Sequence, residues 1–211
     1  MHKLSLIDLG FFLAESEASP KHVGGLMICK RPPGSRAAFV GDLHREFLTF
    51  TDVEPPFNRV IHFSLTGMPT WQEAESVDLS QHVFYHRLRR GKNGRRELYE
   101  LASRLHQPML DRSRPLWELH VIDGLSEARF ALYLKMHHAC ADGVTMMRWA
   151  ADSLSRAASD LEARPLWSIR HRTGEGKEKR LKDKMAQSLL GELAGAGKLA
   201  LGVGRLAAML L

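Results

Sequence analysis

Cysteine is scarce: Cys29 and Cys140 are the two in 211 residues. Neither belongs to a CxxC pair or to a Cys/His run with zinc spacing. A disulfide framework and a structural zinc site are therefore excluded, and a reducing cytoplasm is the setting this implies. Long apolar runs are also missing; none approaches the roughly 20 residues needed to span a bilayer. The opening MHKLSLIDLGFFLAESEASP has the outline of a leader, but Asp8 interrupts its apolar stretch and Glu15 and Glu17 occupy the cleavage region, so a signal peptide is rejected. There is no internal repeat.

Charge is unbalanced. Lys and Arg number 30 against 24 Asp and Glu, a formal charge of +6. Such a surplus suits acidic lipid head groups, the phosphates of a cofactor or nucleic acid, and does not choose among them. The basic residues concentrate in RHRTGEGKEKRLKDK (170–184), without interleaved aromatics for base stacking, which argues against a nucleic-acid partner. Apolar residues make up 44% of the chain, enough to bury a core.

Hydrophobic periodicity predicts alternating strands and helices. HVGGLMICK (22–30) reads as a strand, 36–50 as a helix, RVIHFSL (59–65) and HVFYHRL (82–88) as strands. A GKNG turn leads into a helix whose Leu98, Leu101, Ala102 and Leu105 form a core-facing stripe. Strands at 117–123 and 130–137 are close enough to pair as a hairpin. After Gly143, Val144, Met147, Ala151 and Leu154 mark a helix face. Mixed order of this kind is an α/β chain with a mixed sheet packed by helices. Composition changes beyond 155. The chain divides into a domain over 1–165, a polar linker over 166–184 and a connecting helix over 185–211 that is apolar nearly all round and requires something to pack on.

The candidate chemistry lies in LKMHHACADGVTMM (134–147). Side chains alternate along a strand. If the strand continues, His138 extends the face of Phe130, Leu132, Leu134 and Met136, while His137 points the other way. Two divergent histidines do not share a metal, and His138 with Asp142 lacks a third ligand, so no metal site is expected. The unperturbed pKa of histidine, about 6.5, suits proton transfer at physiological pH, so His138 is either a general base or a core histidine satisfied by backbone. Asp142 either orients the loop or simply makes an Asp-Gly turn. Gly143 permits close approach of a substrate. Cys140 is the rival, a nucleophile for a thioester route.

HHACADG resembles the HHxxxDG motif of the bacterial wax ester synthase/acyl-CoA:diacylglycerol acyltransferase family. Two further stretches resemble it in order. One is LSLIDLGFFLAESEASPKHVGGLMI (4–28), with Asp8, Phe12, Glu15, Pro20, His22, Val23 and Gly24. The other is LDRSRPLWELHVIDGL (110–125), with Pro115, Leu116 and Trp117. Lys21, where methionine is usual, and PMLD in place of Pro-Leu-Asp, are departures away from the chemistry.

The resemblance implies a chloramphenicol-acetyltransferase-like fold, the first of two such domains. It implies transfer of a fatty acyl group from acyl-CoA, as co-substrate and with no cofactor, to a long-chain alcohol or a diacylglycerol. His138 would be the general base, His137 and Asp142 its supports, and Gly143 the substrate-facing residue. The C-terminal domain of the same enzyme would be a partner, with contact to a membrane or lipid inclusions left open. PLW is expected to stabilise the domain. The rival readings are a condensation-type enzyme using a carrier-protein thioester and a lipid-binding module without chemistry.

Overall fold

A computed structural model describes residues 2–63, 68–89, 94–155 and 164–170. These fall in one compact unit, Met1–His171; residues 172–211, including the expected helix over 185–211, lie outside the described residues.

The order of elements is β1 (His2–Lys3), α1 (Leu6–Ala14), β2 (His22–Lys30), α2 (Phe39–Phe47), β3 (Arg59–His62), β4 (Thr70–Glu73), β5 (Val83–Arg87), α3 (Gly94–His106), β6 (Trp117–Leu125), β7 (Arg129–His137) and α4 (Gly143–Asp152). The main sheet runs β2-β7-β6-β5. β6 and β7 form the predicted antiparallel hairpin, β2 adds antiparallel to β7, and β5 adds parallel to β6. A second sheet, β1-β4-β3, is antiparallel throughout. The architecture is thus the mixed, helix-packed α/β arrangement expected.

Helices cover both faces of the main sheet, which explains why β6 and β7 are buried along most of their length despite the polar residues they carry. On one face α2 and α4 bring Val40, Met146 and Trp149 against Trp117, Leu119, Val121, Leu134 and Met136. On the other, α3 lays its stripe, led by the fully buried Leu98, on Ile122, Ala131 and Tyr133. A third cluster joins α1 to the small sheet through Phe12, Ile61 and Trp71, and reaches Leu116 and Ala139.

Pro115, Leu116 and Trp117 do what was expected of them. Trp117 opens β6, is buried, and donates its indole N–H to the Phe57 carbonyl at 2.7 Å. Its ring stacks on Trp167 at 5.3 Å. Leu166 and Trp167 belong to this core, so the packed region continues past the boundary drawn from composition at 165.

The wall Phe130, Leu134 and Met136 is filled core, because helices and the Trp117–Trp167 stack occupy that side. The α4 face marked by Val144 and Met147 is the exposed one. Met146 and Trp149 are its buried residues, whereas Val144 and Met147 are exposed by 69% and 64%, and Leu154, just past the helix end, by 53%. Both candidate stripes on α4 are apolar, and periodicity alone cannot say which one meets the sheet.

Candidate functional site

β7 ends at His137, and the chain turns at once. The Cys140 N–H donates to the His137 carbonyl at 2.9 Å, closing the turn, and the His138 N–H donates to the Lys21 carbonyl at 2.9 Å. The alternation inferred for an extended strand therefore stops one residue early. His138 does not continue the Met136 face. Instead both histidine rings meet the same helix. Phe11 of α1 stacks on His138 at 4.2 Å and Phe12 stacks on His137 at 4.3 Å.

The two rings differ in surroundings. His137 is buried and His138 partly exposed. The Ala139 N–H donates to His137 Nδ1 at 3.1 Å, so Nδ1 is the acceptor nitrogen and Nε2 carries the proton. Nε2 lies 3.4 Å from Glu15 Oε2. Burial drives the His137 pKa down to about 4, with Glu15 opposing and Arg112 reinforcing the shift. At neutral pH His137 is an uncharged, enclosed imidazole.

Glu15 follows α1 as its C-terminal cap residue, in extended conformation. Its side chain is 1% exposed. Burial alone would raise its pKa, but hydrogen bonds from Arg112 and the Lys21 N–H, with the charge of Arg112, outweigh burial and hold the carboxyl below its usual value. Lys21 N–H donates to Oε1 at 3.0 Å; Arg112 donates to Oε2 from Nη2 at 2.8 Å and from Nε at 3.3 Å. Arg112 Nη2 also donates to the Phe12 carbonyl at 3.1 Å, and its guanidinium carbon sits 5.3 Å from the Phe12 ring centre.

Asp142 caps α4: its Oδ1 accepts the Thr145 N–H at 2.7 Å. This fixes where the turn ends and the helix begins. Gly143 is the first helical residue and is exposed; a Cβ there would meet no atom within 4 Å. Cys140 is enclosed. Burial, with a smaller effect of Asp8, pushes its thiol up to about 12, far from a thiolate at neutral pH. That disfavours the covalent rival. Among the described residues no group of three His, Cys, Asp or Glu side chains is placed to hold a metal.

The structure thus gathers His137, His138, Asp142 and Gly143 at one end of β7. Sequence reasoning assigned no role to Glu15, Arg112, Phe11 and Phe12. A signal was present, because Phe12 and Glu15 lie in the opening stretch that resembles the family, and Arg112 lies just before PLW. Nothing in the sequence said that these segments close on one another.

Comparisons with known proteins show the family and the fold. A profile of the wax ester synthase/diacylglycerol acyltransferase catalytic domain matches residues 4–211. A Mycobacterium tuberculosis protein named a probable diacylglycerol O-acyltransferase is 40% identical over 167 residues, which is 77% of this chain and 36% of that protein. The solved wax ester synthase/diacylglycerol acyltransferase from Marinobacter aquaeolei superposes with a TM-score of 0.77 at 34% identity, over 93% of this chain and 46% of that one. The starter condensation domain of the rhizomide synthetase superposes with a TM-score of 0.52 at 12% identity, over 72% and 35% of the two chains, which is a likeness of fold. The chain spans less than half the length of these relatives.

Proposed function

The chain belongs to the wax ester synthase/diacylglycerol acyltransferase family, and on that premise we propose that it carries the catalytic base for transfer of a fatty acyl group from acyl-CoA to a hydroxyl. The acceptor is a long-chain alcohol or a diacylglycerol. The observation that carries this reading is the unequal histidine pair: His137 is enclosed and neutral, while His138 stands beside it in a turn, stacked on Phe11 and partly exposed.

His138 takes the proton from the acceptor hydroxyl as its oxygen attacks the thioester carbonyl. The tetrahedral intermediate then collapses, the C–S bond breaks, and the leaving CoA thiolate receives that proton from the imidazolium. No covalent enzyme intermediate forms, which fits the thiol of Cys140 staying protonated. General-base assistance of this kind is worth roughly 10²–10⁴-fold, about 3–5 kcal/mol of barrier. Asp142 and His137 hold the turn, and the open space at Gly143 leaves room for the thioester.

The exposed residues Val144 and Met147 of α4, with Leu154 just past its end, begin directly after the motif. They support an acyl channel walled on one side by α4 and on the other by the second half of the family's length. Among the described residues no helix is long and apolar enough to cross a membrane. A cytoplasmic enzyme that meets its lipid acceptor at a membrane or inclusion surface fits this reading.

The test is thiol release from palmitoyl-CoA with and without hexadecanol, using the full-length enzyme, His138→Ala and Cys140→Ala. Release that requires the alcohol, collapses in His138→Ala and survives in Cys140→Ala supports the proposal. Loss of activity in Cys140→Ala instead supports a thioester enzyme. Acyl-CoA binding without turnover in all three supports the lipid-binding reading, and turnover from a carrier-protein thioester alone the condensation-type reading.

A further inference from the structure

We propose that Glu15 is a positioning residue for the histidine pair, with Arg112 as its counter-ion: the Glu15 carboxylate holds His137 in its Nε2–H tautomer, and the free Nδ1 lone pair then fixes the turn that carries His138. The geometry stands by itself; its catalytic consequence rests on the acyl-transfer reading.

Consider the alternative tautomer. With the proton on Nδ1, that N–H would face the Ala139 N–H at 3.1 Å, two donors opposed, and Nε2 would turn a lone pair toward the carboxylate 3.4 Å away. Each contact would become repulsive in a buried place, where an unpaired polar group is costly. The carboxylate charge 3.4 Å from Nε2, outside hydrogen-bond geometry, therefore favours the tautomer with the proton on that nitrogen. Ala139 lies next to His138, so fixing its amide fixes the path of the chain through His138.

A second connection runs through Lys21. Its N–H donates to Glu15 Oε1 at 3.0 Å, and its carbonyl accepts the His138 N–H at 2.9 Å. One peptide thus joins the same carboxylate to the backbone of the proposed base. Glu15 reaches His138 from both sides, through the His137 ring and through the Lys21 backbone, without touching the reacting atoms. Arg112 keeps the carboxylate ionised and ties it to α1 through the Phe12 carbonyl, whose ring covers His137.

The experiment compares Glu15→Gln, His137→Asn and the double variant in the full-length enzyme. Glu15→Gln preserves shape and removes the charge. The expected result is a kcat lower by roughly 10- to 100-fold, the range found when an outer partner of a functional histidine is removed, with KM for palmitoyl-CoA changed less than about twofold. In the His137→Asn background Glu15→Gln then changes kcat less than about twofold, because both act through one unit. Nitrogen-15 imidazole spectra of the same proteins, with the His137 signal identified by its loss in His137→Asn, should show one Nε2–H tautomer in the wild type and a mixture in Glu15→Gln. Fully additive losses, or a His137 tautomer unchanged by Glu15→Gln, would overturn the proposal. If Glu15→Gln does not fold, Arg112→Lys, at a partly exposed position, takes its place with the same expected non-additivity. A wild type without alcohol-dependent turnover defeats the acyl-transfer reading, and the imidazole spectra still decide for or against Glu15.

Discussion

The Tyr133 hydroxyl and His106 Nδ1 are hydrogen-bonded at 2.6 Å directly above the Cα of Gly24. A Cβ on residue 24 would lie 2.6 Å from that hydroxyl and 3.1 Å from that nitrogen. Gly24 is thus the floor of a polar contact between β7 and α3, one strand away from the histidine pair. Gly24→Ala should destabilise the fold by about 1–3 kcal/mol through overpacking. Gly25 is a built-in control: its Cβ would meet only the flexible end of Met146, at 2.9 Å. Gly25→Ala should cost clearly less, and urea denaturation of the two variants checks the order.

Acid should loosen the protein in a defined window. His137 titrates near 6.5 when unfolded and at about 4 in the fold, chiefly because it is buried. Below pH 6.5 the unfolded chain binds a proton that folded His137 refuses, so stability falls with falling pH until about pH 4, and is fully present above 6.5. A tenfold change in proton affinity is about 1.4 kcal/mol, so His137 alone withdraws roughly 3 kcal/mol across that window. Burial lowers the pKa of His22, His82, His86 and His106 as well, and these act with the same sign. Denaturation between pH 7.5 and 4 should show the loss, and His137→Asn should flatten the curve. A stability independent of pH in this range would contradict the burial of these rings.

Lys135 is 1% exposed and donates to the Leu105 carbonyl at 3.0 Å and to the Pro108 carbonyl, holding the end of α3. Glu118 Oε2 lies 3.8 Å away. Lys135→Met leaves that carboxylate without its buried cation and should cost about 3–5 kcal/mol. Adding Glu118→Gln should recover part of the loss, since the residual buried charge is then gone. Equal melting temperatures for the single and double variants would show that the pair is uncoupled.

Cys140 should be slow to alkylate. With its thiol pushed up to about 12, the thiolate fraction at pH 7.5 is negligible. Iodoacetamide labelling of native protein should leave Cys140 unmodified until the protein is unfolded. Rapid native labelling, read by mass spectrometry, would reopen the thioester route.

Trp167→Ala should cost about 3–5 kcal/mol, the range for removing a buried large aromatic. Trp167 is fully buried, stacks on Trp117, and its indole N–H donates to the Phe50 carbonyl at 3.1 Å. A loss under about 1 kcal/mol would place this segment outside the core.

Most strands were legible because Val, Ile, Leu and aromatic runs are bounded by clear breakers; β2 and β7 fall where periodicity put them. The α3 stripe was legible for the same reason, since Leu98 recurs in step with Leu101 and Leu105. Trp167 was not, because it follows a polar stretch and precedes another, and only long-range packing shows where it goes. Which apolar stripe of α4 is exposed was not legible, because hydrophobicity carries no record of which neighbour is on hand. At the site, His138, Asp142 and Gly143 stand out through the motif they resemble, not through any local rule. Glu15 and Arg112 could not be paired, since 97 residues separate them and no local rule links such distant positions.

That separation bears on how the protein is made. α1 leaves the ribosome well before its partners His137 and His138, which emerge more than a hundred residues later. Contacts this far apart in sequence carry a large loop-closure entropy and form late. The stacking of Phe11 and Phe12 on the histidine pair therefore depends on β7 joining the sheet, and an incompletely folded chain lacks the arrangement that the proposed acyl transfer requires.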